Sequence, residues 1–129
     1  MKNFRIISRL EIKSEYVIKG LRKIDLPENI INNFGNNYID EIFNEDVVAS
    51  LYDRPIDLDR IKKISQLINL PLCVSGRVRT ISDIYSLFKT GADKVSLNTS
   101  IFDKFRSPHL WKKSRNGWRR LQELKEIIQ

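Results

Sequence analysis

Residues 70–100, LPLCVSGRVRTISDIYSLFKTGADKVSLNTS, carry a complete strand–helix–strand unit, and their reading decides the fold. Leu70 to Val74 is a short apolar run of the kind that forms a strand covered on both faces. Thr80 is a helix N-cap, because its hydroxyl accepts from a backbone N–H that the first turn leaves without a partner. Ile84, Leu87 and Phe88 recur on one helical face, and Gly91 closes the helix. Lys94 to Leu97 is the next strand. It runs out into Asn98, Thr99 and Ser100, three hydrogen-bonding side chains just before a helix start whose free N–H groups suit a phosphate.

The same alternation extends back to the N-terminus. Phe4 to Ile12 reads as a first strand, and Tyr16 to Gly20 as an extended continuation or a hairpin. Pro27 opens a helix through Ile30, Ile31 and Phe34 that stops at Gly35. Ile39 to Ser50 contains a second strand, with Asp46 beside Val47, Val48 and Ala49. Pro55 and Asp57 start a helix with Leu58, Ile61, Ile64, Leu67 and Ile68 on one face. Asp57, Asp59, Arg60, Lys62 and Lys63 read as its solvated side. Four successive βα units argue for an α/β fold with a parallel sheet. A closed (βα)8 barrel takes about 200 residues or more. The 129 residues therefore hold half of a TIM-type barrel, or a small open α/β sheet. In either, ligands gather at the C-terminal ends of the strands.

Hydrophobic content of 41% and charged content of 30% belong to an ordinary globular protein. No apolar run approaches the ~20 residues of a membrane span, and the first residues lack the apolar stretch of a signal peptide. The single cysteine, Cys73, reads as a buried strand residue rather than a nucleophile, and suits a reducing cytoplasm. The net charge of +7 is concentrated in residues 104–129. There Lys112, Lys113, Arg115, Arg119 and Arg120 interleave with Trp111 and Trp118, and Trp118, Leu121, Leu124 and Ile128 mark an amphipathic helix. Two units follow: residues 1–103 as the α/β domain and 104–129 as a basic tail. Such a tail can grip nucleic acid or an acidic membrane. The preferred reading is that its apolar face packs on the sheet and its basic face meets water. His109 is a solvated loop residue with no second ligand near it, and no metal, flavin or nicotinamide motif is present.

Several blocks in order, Arg5 to Lys13, Val17 to Gly20, Asp46 to Arg54 and Gly91 to Thr99, resemble the cyclase subunit of imidazole glycerol phosphate synthase. The resemblance runs from residue 4 to about 103, the N-terminal half of that family's (βα)8 barrel. It implies a lyase of histidine biosynthesis, or of a related surface-sugar pathway. A glutaminase partner supplies ammonia, and a phosphorylated ribonucleotide is cyclised. It also implies roles by position. Glu11 falls on a catalytic aspartate, Lys19 on a substrate-contacting lysine, and Asp46 on a substrate-binding aspartate. Gly76, Asn98 and Thr99 fall on one phosphate site of the substrate. No cofactor is implied. The strand that carries the family's second catalytic aspartate has no counterpart here. Arg77 stands where the family has a glycine, and can either bind phosphate or block it. The alternative is a non-catalytic remnant or binding module that holds at most a phosphorylated ligand. A half-barrel leaves two strand edges unpaired, which favours a homo-oligomer.

Overall fold

The computed structural model describes residues 4–34 and 38–97. The expected helix stop at Gly35, the polar run Asn98 to Ser100, His109 and the basic tail lie outside the described residues.

Strands β1 (Ile7–Lys13), β2 (Tyr16–Lys19) and β3 (Arg22–Asp25) precede helix α1 (Pro27–Asn33). Strand β4 (Glu41–Asp46), helix α2 (Leu58–Leu67), strand β5 (Leu72–Ser75), helix α3 (Ile81–Thr90) and strand β6 (Lys94–Val95) follow. One sheet holds all six strands in the order β3-β2-β1-β4-β5-β6. Four of them, β1, β4, β5 and β6, pair in parallel and in chain order, as the alternation of strand and helix predicts. The sheet does not close among the described residues, which form part of a TIM-type α/β sheet.

The region Tyr16 to Gly20, left open between an extension and a hairpin, is a hairpin. After a turn at Ser14 and Glu15, β2 folds back antiparallel on β1, and β3 folds back on β2. The sheet is therefore parallel in its four central and outer βα strands and antiparallel at this margin. The parallel strands are also shorter than their apolar runs suggest. Strand β4 ends at Asp46 because that carboxylate accepts from the N–H groups of Val48 and Ala49, which turns the chain out of the ladder.

Alternation within the strands splits the sheet into two faces. Leu10 and Ile12 of β1, Ile42 of β4, and Leu72 and Val74 of β5 are buried under Ile31, Ile61, Ile64, Ile84 and Leu87 of the helices. The other face carries Arg9, Glu11, Phe43, Glu45, Cys73 and Lys94. Helix α3 starts where expected: the Thr80 side chain accepts from Asp83 N–H, and Asp83 returns a carboxylate to the Thr80 N–H, a reciprocal capping box. Asp57 caps α2 with a single bond, accepting from Arg60 N–H. Arg60 corrects the solvated-face reading: its side chain is largely buried and pairs with Asp57 at 2.9 Å.

Candidate functional site

Strand register decides which side chains share a level of the sheet. Glu11 lies directly across from Glu45, and Glu45 across from Ser75, so these three form one row near the C-terminal strand ends. Arg9, two residues below Glu11 on the same face, pairs with both carboxylates. Its Nη2 is 3.2 Å from Glu11 Oε1, and its Nε donates to Glu45 Oε2 at 2.9 Å. The side chain in Glu11's position is thus a carboxylate held by a guanidinium, with a second carboxylate beside it. The sequence offers Arg9 or Lys13 as an ion-pair partner of Glu11, and it is Arg9 that pairs; Glu45 is the residue that the sequence did not single out. The signal was the spacing of Arg9 and Glu11, and of Glu41, Phe43 and Glu45, at every second residue of their strands.

Asp46 and Gly76 are in contact at the ends of β4 and β5. A Cβ on Gly76 would stand 2.7 Å from the Asp46 carbonyl oxygen and 3.1 Å from its nitrogen, and Gly76 takes φ +110°. Only glycine lets these two strand ends close to that distance. Asp46 also lies 4.0 Å from Arg54 Nη2. Beneath it is a cavity of about 20 Å³ lined by Asn44, Ala49, Ile56 and Arg60, which is water-sized and too small for a substrate. A larger hollow of about 470 Å³, lined by Ser65, Asn69, Pro71 and Asp93, opens beside the N-terminal end of β5. That is the end away from the chemistry of such sheets.

Lys19 is not brought to this row. It sits exposed in the hairpin, beyond the Ile12↔Val17 rung that joins β2 to β1. Asn98 and Thr99 lie outside the described residues, two and three positions past the Ser96 N–H that donates to the Val74 carbonyl.

Arg77 is engaged by Asp53. Its Nε and Nη2 donate to Asp53 Oδ1 at 3.2 and 3.1 Å, and Arg79 Nη1 donates to the same oxygen at 2.7 Å. Arg77, and then Arg79, hold the Asp53 carboxyl below the usual carboxylate range. At the opposite end of the sheet, Glu41 is buried with 5% of its side chain exposed. Arg5 Nη2 donates to it at 2.6 Å and Lys94 Nζ at 2.7 Å. Cys73 is buried next to this group, and burial, then the Glu41 charge, push its thiol pKa up. It is a buried strand residue, as its sequence context predicts.

No group of three or more His, Cys, Asp or Glu able to hold a metal ion is found among the described residues. No helix of the described residues is long and apolar enough to cross a membrane.

Residues 5–116 match the histidine biosynthesis protein family. The imidazole glycerol phosphate synthase subunit HisF of Metallosphaera sedula is 36% identical over 104 residues, which cover 77% of this chain and 41% of that protein. The same subunit of Alkaliphilus metalliredigens is 39% identical over 101 residues, covering 74% and 40%. That of Exiguobacterium sp. is 40% identical over 100 residues, covering 74% and 39%. The chain spans about 40% of the length of the curated relatives it matches.

Proposed function

Because this chain belongs to the histidine biosynthesis protein family, we propose that its strand ends hold a phosphorylated ribonucleotide and serve the cyclase step of an imidazole glycerol phosphate synthase. Glu11 is the acid–base carboxylate. Asp46 and Gly76 form the floor beside it, Asn98 and Thr99 hold a phosphate, and Lys19 closes on the ligand from the hairpin. A glutaminase subunit supplies the ammonia, and the reaction runs in the cytoplasm without a cofactor. Residues 1–103 form the ligand-binding unit and 104–129 a basic tail.

The observation that carries this reading is the row Glu11, Glu45 and Ser75, one strand step from the Asp46–Gly76 contact. Ring closure with ammonia moves protons on and off the substrate, and a positioned carboxylate contributes roughly 100-fold or more to such steps. Arg9 Nη2, 3.2 Å from Glu11 Oε1, is the cation beside that carboxylate. Ammonia-dependent cyclisation of the ribonucleotide is expected to fall at least tenfold in Glu11→Gln. Equal turnover in the two proteins would remove Glu11 from the chemistry.

The second reading, a binding module without turnover, is favoured by Arg77, which occupies a left-handed φ of +47° where the family has glycine. Folded protein that binds the ribonucleotide and never cyclises it would establish that reading.

Self-association belongs to the same proposal. Among the described residues the sheet ends at β3 and β6, and the outer side of each pairs with no further strand. A second copy that adds a strand at such an edge gives its backbone groups partners. Sedimentation at micromolar concentration is expected to give a species larger than the 15.2 kDa monomer. A monomer that persists at ten times that concentration would overturn it.

A further inference from the structure

We propose that the small cavity between the end of β4 and the first turn of α2 is a binding site for a single water molecule, held by the Asn44 side chain. The inference is independent of the strand-end reading. It concerns the helix-covered face of the sheet and stands whether or not the chain has turnover.

The first ground is a polar group without a partner. Asn44 shares its face of β4 with Ile42 and is 3% exposed. Register sets Leu10 of β1 on one side of it and Val74 of β5 on the other. Neither of those side chains can form a hydrogen bond. Asn44 Oδ1 is buried and accepts no hydrogen bond from the described residues. A buried amide oxygen is costly in that state, and ordered water is the usual remedy where no protein donor reaches it.

The second ground is space. The cavity that Asn44 lines measures about 20 Å³. One water needs about 10–15 Å³ of such space, so a single water fits and no organic ligand does.

The third ground is the chemistry of the lining. A hollow lined only by apolar groups stays dry. Here Arg60 and Asp57 stand beside Ala49 and Ile61. The Arg60 side chain is 13% exposed, and its Nη2 lies 2.9 Å from Asp57 Oδ2. A guanidinium carries five N–H donors, more than one carboxylate engages. The water therefore donates to Asn44 Oδ1 and accepts from the Arg60 guanidinium. It ties the end of β4 to the start of α2, below the Asp46–Gly76 contact. Asn44 is then a positioning residue for that part of the sheet, acting through the molecule it holds.

The test is water-oxygen magnetic relaxation dispersion on the full chain. It counts long-lived waters by their own oxygen and is blind to exchanging hydroxyl protons. Nuclear Overhauser contacts from water to the Ala49 and Ile61 methyls place the molecule in this cavity. Contacts to both methyls are expected in the unaltered protein. In Asn44→Leu, which has nearly the same size and no acceptor, those contacts should vanish and the dispersion amplitude should fall by one water per chain. Absence of the contacts in the unaltered protein would overturn the inference, and that result does not depend on how any variant folds. An unchanged dispersion amplitude in folded Asn44→Leu would overturn it too, since no water would then depend on Asn44.

Discussion

Gly76→Ala is expected to destabilise the protein by about 3–5 kcal/mol, enough to unfold a domain of ordinary stability at modest temperature. Two costs add. The added Cβ meets backbone atoms of Asp46, at 2.7 Å from the carbonyl oxygen, and backbone in a paired strand end cannot rotate away as a side chain would. The φ of +110° is also one that an L-residue avoids. Gly20→Ala separates the two costs. Gly20 has φ +61° but no atom within 4 Å of an added Cβ, so only the backbone term applies, at about 1–2 kcal/mol. Urea midpoints of the two variants give the comparison. Equal losses would mean that the close approach of the β4 and β5 ends adds nothing.

The second large effect concerns Glu41. Replacing both Arg5 and Lys94 by Met is expected to cost about 3–5 kcal/mol, because a buried carboxylate is then left without a partner. Glu41→Gln is expected to cost far less, about 1 kcal/mol, although it removes the same two ion pairs. The reason is where the charges sit. Arg5 and Lys94 are about half exposed and return to water when the acid is gone, but Glu41 has 5% of its side chain exposed and cannot. Equilibrium unfolding of the two variants at neutral pH gives the comparison. A Glu41→Gln loss as large as that of the double variant would show that the three charges act as an indivisible unit.

What could be read from the residues was whatever is set locally. Thr80 with Asp83, and Asp57 ahead of Leu58, are caps whose chemistry is complete within one helical turn. Leu72 to Val74 could be read as a buried strand because all three residues are apolar. The hairpin of β2 and β3 stayed ambiguous because its residues, mostly charged in β3, show no burial pattern that fixes a partner. The site was harder still. Glu11 was found through its resemblance, and Arg9 pairs with it from two residues back on the same strand, but Glu45 joins them only through register between β1 and β4, which no local pattern states. Arg77 could be read as ligand or obstacle. Its engagement with Asp53 depends on two loops more than twenty residues apart lying side by side.

The in-order parallel ladder bears on how the chain reaches this state. Each rung joins strands separated by a loop of roughly 20 to 35 residues, as from Ile7 to Glu41, Ile42 to Leu72 and Cys73 to Lys94. The entropy lost on closing a loop grows only with the logarithm of its length, so the three closures differ little in cost. Each βα unit can dock on the one before it as soon as it exists, and no parallel rung of the described sheet waits for distant ends of the chain to meet. The described ladder can grow from β1 outward, at a pace set by medium-range contacts.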